Sequence, residues 1–478
     1  MKMKNYYLAC TLLVCTAHPI KLQAQGYLSD ATTGNAVLTR DPARQASTEI
    51  DAVVTNPAGT AFLKNGFHIS ANGIYSFQNI HAYSADVPQL SFKTKERRLL
   101  PAIQLAYKKN RWTIAASFSS DGGFGKRTAK DGSSMANHTF DAVAGRSLNS
   151  INEDFKDANI LLQAIALLDG QARPDLQEED QLGFISSDAK NSLYNWSTRL
   201  GTSFKFSSHL SAYVGIKANY VSADSETKGS LMIVRPSTCE KWTYSEYTEK
   251  RKHVIEQANV DEELKEKYFN SANEAAELAN ALFASAGASI HGLGFAPILG
   301  IDYQYGQFNF GAKYEFASHI KTKGEHFNIP ASFSAGMSWQ TTQRLKLAAG
   351  SNVIFASYKN VYSKNHLGKA YDLSVSGTYN ITDKWLVSGG YTYSHEQVSM
   401  PELTPYTALA HHYNKLSFGI AYAPIKDMQI NLGISSNLHK NNYAYHMGID
   451  GGTYSFTMQG EYKYCPKVQL ALGVNYCI

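Results

Sequence analysis

From Phe67 to the C terminus the chain keeps returning to one short pattern, an apolar residue at every second position over runs of about ten residues. Trp112, Ile114, Ala116 and Phe118 share one parity, and Thr113, Ala115 and Ser117 the other. Ala212, Val214, Ile216, Ala218 and Tyr220 oppose Tyr213, Gly215, Lys217 and Asn219. Phe333, Ala335, Met337 and Trp339 oppose Ser332, Ser334, Gly336 and Ser338, and similar runs begin at Phe67, Trp385 and Leu416. A period of two is that of a strand with one apolar and one polar face. It cannot make a lipid-facing helix, so a chain built this way must bury its oily parity against a second sheet or close into a barrel.

The connectors separate these two outcomes. Tight turns fall near 108–111, 206–210, 305–307, 341–344, 382–384 and 424–427. Between them lie longer connectors, roughly 80–97, 120–192, 223–291, 321–328, 358–369, 397–412 and 439–451. Short and long connectors alternate along the chain, as they do when one rim of a barrel faces the periplasm and the other the exterior. A sandwich has no reason to keep that order. Tyr107, Trp112, Tyr303, Tyr305, Tyr314, Trp339, Tyr379, Trp385 and Tyr422 crowd the strand ends, as an interfacial aromatic girdle does. The expected class is all-β, a transmembrane antiparallel barrel occupying residues 66–478.

Composition agrees. Hydrophobic residues make up 44% of the chain and charged residues 18%, below the quarter or so of a soluble enzyme. Beyond the N terminus no run of about 18 apolar residues offers a helical span. Residues 1–24 have Lys2 and Lys4, an apolar core from Tyr6 to Ala17 and a small-residue site at Ala24, the form of a secretory signal peptide. Removing it takes away Lys2, Lys4 and Lys21 and no acid, so the formal charge falls from +5 to +2 and no nucleic-acid partner is implied. Of the five cysteines, Cys239, Cys465 and Cys477 remain, an odd number without a closed disulfide framework.

About fourteen strands are expected, with one difficulty. Fourteen runs fit between Phe67 and about Tyr464, and a fifteenth follows at 467–477, whereas single-chain barrels normally have an even count. Residues 25–65 do not alternate. Their exposed Val53, Val54, Phe62 and Leu63 would need cover, so this segment is expected to pack in the lumen as a plug. Two long connectors, near 140–190 and 223–291, carry helical signals. Their apolar stripes either cover each other or leave a groove for a greasy ligand, with Leu161, Leu162, Ile165, Leu168, Leu282 and Phe283 as candidates. Basic residues on the lumen parity are Arg199, Lys205, Lys217 and Lys313, the last with Glu315 on its face. They are candidates to meet a buried anion, or plain lumenal ion pairs. No HExxH, P-loop, GxSxG or CxxC pattern occurs, so no enzyme, metal or cofactor is expected.

The order of these parts resembles a known family. A signal peptide, a plug bearing Asn56-Pro57-Ala58, then strand pairs such as 294–325, 328–358 and 371–394, with Pro330 opening a strand, is similar to the long-chain fatty acid transporter (FadL-type) family of outer-membrane channels. The likeness runs over nearly all of the mature chain. It implies a monomeric barrel of fourteen strands in the bacterial outer membrane, amid outer-membrane lipid. It also implies uptake of hydrophobic small molecules, fatty acids or aromatic hydrocarbons, from a groove between two external loops. Exit would be sideways at a kinked third strand, for which Gly122 and Gly123 are suited, or past a shifting hatch. Lys205 matches a basic position of the family's fourth strand. Pro57 is expected to stop a helix at Asn56, whose side chain can bond its own backbone, making this turn a hinge or a rigid corner. A different class, a surface adhesion barrel whose long loops bind extracellular partners, predicts a side-chain-filled lumen instead.

Overall fold

The computed structural model describes residues 34–84, 92–130, 148–172, 174–238, 240–257, 259, 261–263, 286–321, 326–358, 366–396, 412–438, 444–448, 457–464 and 466–478. Residues 1–24, read as a signal peptide, and Leu282 and Phe283 lie outside them.

The alternating runs form one closed antiparallel sheet of 14 strands. These are β1 (Gly66–Ser84), β2 (Phe92–Lys109), β3 (Trp112–Lys130), β4 (Gln181–Lys205), β5 (Leu210–Arg235) and β6 (Ala286–Tyr305). Next come β7 (Phe308–Glu315, resumed as Ser318–Lys321), β8 (His326–Ile329, resumed as Ala331–Gln340), β9 (Leu345–Tyr358) and β10 (His366–Asn380). The set ends with β11 (Trp385–Glu396), β12 (His412–Tyr422), β13 (Met428–Leu438, resumed as Ala444–Gly448) and β14 (Thr457–Tyr464, resumed as Val468–Cys477). Both pieces of β14 pair with β1, which closes the barrel. The seam is fastened at the turn rim, where Phe67 N–H donates to the Ile478 carbonyl at 2.9 Å and Ile478 N–H returns the bond at 2.8 Å.

That division of β14 resolves the odd count. The runs on either side of residue 465 are one strand, broken where Pro466 cannot donate to a ladder. Pro330 marks a similar break, between the two pieces of β8. The turn-rim connectors are short as expected. Asn110 takes a left-handed φ of 55° between β2 and β3, and Gly306 one of 58° between β6 and β7.

Face assignment follows parity. Ile114 is 57% exposed and Leu99 68%, and Val214, Phe295, Val375, Phe418 and Leu472 also stand outward. Their neighbours Thr113, Ser119, Ser203, Asn219, Ser417 and Asn431 are buried inward. A continuous apolar exterior around a polar interior matches hydrocarbon, not water. Trp112, Tyr303, Tyr305, Trp339, Tyr379 and Trp385 ring the turn side of this belt. Trp385 stacks on Tyr422 at 4.4 Å between centroids, and Trp112 tilts on Phe204 at 4.6 Å.

The strands differ from the ten-residue runs in one respect. β4 has 25 residues and β5 has 26, well beyond the 9–11 or so that cross a bilayer. Their ladder continues past the apolar belt, from Lys205–Ser211 to Gln181–Val234. The long connectors therefore begin from a raised wall. There α3 (Leu148–Leu168) packs on α4 (Tyr244–Gln257). Phe155 stacks on Tyr247 at 5.4 Å, and the Arg251 guanidinium lies 3.6 Å from the Phe155 ring centre and donates to Asn159 Oδ1 at 2.7 Å. The helical signal expected in the connector near 140–190 is thus α3, Leu148–Leu168. The helical signal expected near 223–291 is α4 as far as Gln257, while 264–285 lies outside the described residues.

A surface ion pair holds this outer tier. Lys250 and Arg235 donate to the Asp175 carboxylate at 2.9 and 3.1 Å. The Lys250 bond, opposed by partial desolvation and joined by Arg235, holds the Asp175 carboxyl below its usual range. A depressed folded pKa means stabilisation present above the unfolded value of about 3.9 and lost as pH falls through the folded one. Amide protection factors in α3 and α4, taken relative to the intrinsic exchange rate at each pH, are expected to stay constant from about pH 7 to about 5 and to fall at more acid pH. Asp175→Asn should remove this acid-range increment of below about 1 kcal/mol, as suits so exposed a pair.

Candidate functional site

The N-terminal segment from Gly34 to Phe62 lies against the inward faces of the strands. It comprises α1 (Ala36–Arg40), α2 (Ala52–Thr55) and a 3₁₀ turn, Pro57–Phe62. Asn35 caps α1, its side chain accepting from Val37 N–H at 2.7 Å. Arg44 ties the middle together with two bonds of 2.8 Å to the Asp51 carboxylate. Pro57 ends α2, as its fixed φ and missing N–H require.

Polar side chains on the wall then meet the segment. Arg40 donates to Asn431 Oδ1 at 3.1 Å and to Ser388 Oγ at 2.9 Å. Asp41 accepts from Ser376 and, at 3.1 Å, from Thr378. Ser211 donates to the Ala58 carbonyl at 2.8 Å, and Thr113 to that of Thr60 at 3.2 Å.

Asn56 does not bond its own backbone, contrary to the expectation. Its amide nitrogen donates to the Ile301 carbonyl at 3.0 Å and to Asp302 Oδ2 at 3.2 Å. Wall glycines make the room: a Cβ on Gly300 would sit 2.8 Å from Asn56 Oδ1, and one on Gly311 2.6 Å from its Nδ2. Asp302 is fully buried, and Asn309 also donates to it, at 3.3 Å. Asn56→Ala leaves Ala58 and Pro57 in place but strips Asp302 of a donor. It should destabilise by about 1–3 kcal/mol, the cost of an unmade buried bond. Denaturant midpoints, read with proteolysis within 34–62, check this.

Beside the segment is a cavity of about 230 Å³, lined in part by Thr39, Gln45, Thr55, Asp372 and Lys415. Three of the four expected cations meet on its wall with two acids. Arg199 is paired with Asp121, one contact being 3.2 Å, and its Nε lies 3.7 Å from Glu315. Lys217 sits 2.8 Å from Asp121 and 3.0 Å from Glu315, and Lys313 2.7 Å from Glu315. Lys313 also donates to the Val54 carbonyl at 3.0 Å, joining the cluster to the N-terminal segment. Lys205 does not join them. It lies 4.9 Å from the Phe62 ring centre, toward the turn rim. Asp121 was missed by sequence reasoning because it falls in Ser120-Asp121-Gly122-Gly123, where alternation stops predicting direction.

At that same stretch β3 is kinked. Against β4 its register shifts between Ser120 and Gly122 and again between Gly122 and Gly125, with Gly123 at φ 89° and Gly125 at φ 70°. Against β2 the ladder lapses between the Glu96–Arg127 and Ala102–Ser119 pairs. Gly122 and Gly123 thus lie where the strand bends, and Gly125 completes the irregularity.

Of the groove candidates, Leu162 is buried at 1% exposure beneath α3, Ile165 is half-buried, and Leu161 and Leu168 face outward at 50% and 87%. Ile160 and Leu167 extend that outward stripe. Among the described residues no group of three or more His, Cys, Asp or Glu is placed to hold a metal.

Comparison of the whole chain with solved structures finds the same architecture elsewhere. A FadL homologue of Pseudomonas aeruginosa aligns over 95% of this chain and 100% of its own, with a TM-score of 0.59 at 11% identity. The fold is that of the FadL-type channels. The Pseudomonas putida toluene transporter TodX aligns over 90% of this chain and 95% of its own, with a TM-score of 0.54 at 13% identity. The Ralstonia pickettii toluene transporter TbuX aligns over 92% and 99%, with a TM-score of 0.52 at 12% identity. No protein-family model and no curated sequence matches the chain. At these identities it is the path of the backbone that is shared.

Proposed function

We propose that this chain is an outer-membrane channel for hydrophobic small molecules, in which the N-terminal segment acts as the lumenal plug and solutes leave through the wall at β3. The observation that carries the reading is the lapse in the β2–β3 ladder beside the cavity. A barrel in hydrocarbon ordinarily leaves no backbone pairing unmade, since each unpaired group costs several kcal/mol. An interrupted wall is therefore expected where something passes.

Three further features support it. The apolar belt suits a bilayer, and the strand-sided turns and loops suit the outer membrane. The solved proteins of this fold include ones described as toluene transporters and a FadL homologue. The outward stripe of Ile160, Leu161, Leu167 and Leu168 gives the outer tier an apolar surface for first capture.

The solute class follows from the cavity. Arg199, Lys217 and Lys313 stand against Asp121 and Glu315, one positive charge in surplus. A buried surplus cation favours an anionic head over a neutral hydrocarbon, so a fatty acid is the better fit. The test is native mass spectrometry of the purified protein together with laurate uptake into proteoliposomes. Co-purifying acyl chains and uptake above protein-free vesicles are expected. Passage of sucrose at the same rate as laurate would reject the reading in favour of a general pore.

A further inference from the structure

Where β2 and β3 part, the inner mouth of the gap is not empty. Arg98, on the lumen parity of β2, is buried, and its guanidinium donates to the Gly123 carbonyl at the crest of the β3 kink. Its stem fills the space that side chains on β3 would otherwise take. A Cβ on Gly125 would lie 2.5 Å from both Cγ and Cδ of Arg98. The Arg98 Nε lies 3.0 Å from Glu96, which is fully buried and has Lys467 at 3.5 Å. Pro101, in the same lapse, has no N–H to rebuild the ladder.

Three ionic side chains, Arg98, Glu96 and Lys467, thus stand at a place where backbone pairing between β2 and β3 lapses. Charges at such a level are costly, and an apolar side chain of the same size would seal the gap without that cost. The cavity comes close to this place, its lining including Asp121 in the kink and Ile74 and Gln469 beside it. Gln469 and Arg98 both pair with Ser76 of β1.

Resting on the channel reading above, we infer that Arg98 is a charge-selective stopper of the lateral opening. The carboxylate of an anionic amphiphile in the cavity replaces the Gly123 carbonyl as partner of the guanidinium and draws the side chain aside. A carboxylate is the better partner because its bonds to a guanidinium are charge-assisted and bidentate. An uncharged molecule of the same length offers no such exchange and meets a closed wall. Arg98 is then a residue that sets which solutes leave sideways, acting by position and charge.

The experiment compares laurate with methyl laurate in proteoliposomes, for wild type, Arg98→Gln and Arg98→Lys, with barrel assembly followed by heat-modifiable migration. Wild type is expected to pass laurate several-fold faster than the ester. Arg98→Gln should bring the two rates together, chiefly by raising that of the ester. Arg98→Lys keeps a charge but not the fork, and should retain the preference while leaking more ester than wild type. An unchanged acid-to-ester ratio in Arg98→Gln overturns the stopper. Should that variant fail to assemble, Arg98→Lys decides, and ester leakage at the wild-type level overturns it. Wild type passing neither probe above protein-free vesicles rejects the channel reading itself, and with it the stopper that rests on it.

Discussion

A chain lacking residues 34–62 is expected to assemble as a barrel and to conduct ions steadily, where the intact protein stays near its closed level. The seam from Phe67 to Ile478 and the strand ladders do not involve the deleted residues, so closure of the sheet survives. The wall groups that lose partners include Asn72, Gln104, Thr113, Ser203, Ser211, Asp302, Asn309, Lys313, Ser376, Thr378, Ser388 and Asn431. These are polar groups that water entering the lumen can satisfy, while the apolar contacts of the segment with Ile74, Leu100, Ala106, Ala115, Tyr213 and Ile298 are lost outright. Interiors widen with strand number, and a barrel of this size without its filling segment holds an aqueous path. Planar-bilayer recordings should show conductance higher by about an order of magnitude. Conductance equal to that of the intact chain would mean that the segment is not the obstruction.

The second large effect belongs to Glu315. It faces Arg199, Lys217 and Lys313 at 3.7, 3.0 and 2.7 Å, all three buried in the wall. Glu315→Ala leaves three cations with Asp121 alone. Breaking a buried ionic cluster from one side typically costs about 3–5 kcal/mol, because the abandoned charges keep their desolvation penalty. Denaturant unfolding of the detergent-solubilised barrel, followed by tryptophan fluorescence, should show a loss of that size. Adding Lys217→Met to Glu315→Ala should recover part of it, since the pair is in contact and the two effects do not add. A loss under about 1 kcal/mol would mean that water already screens the cluster.

Much of the architecture can be read from residue order. The Trp112–Phe118 run has one parity facing out and one in, and turns and loops alternate along the chain as sequence analysis expects. The count of fourteen needed the structure, because nothing in the alternation tells whether Pro466 separates two strands or bends one. The same limit applied to Gly122 and Gly123: glycines permit a kink, but only the partner strands show the register shifts that make one.

Parity assigns a residue to a face, and it placed Arg199, Lys205, Lys217 and Lys313 together on the inner one. It carries no information about height around the barrel, which depends on the stagger between neighbouring strands. That stagger brings Arg199 to Asp121 across 78 residues of sequence and sets Lys205 apart beside Phe62. For the same reason Asn56 was expected to bond within its own turn, whereas the barrel offers it a carbonyl and a carboxylate 245 and 246 residues away. The two-faced ribbon is a local consequence of side-chain order. The cavity, its charges and the arginine at the β3 kink exist only once closure has fixed which strands stand side by side and at what level.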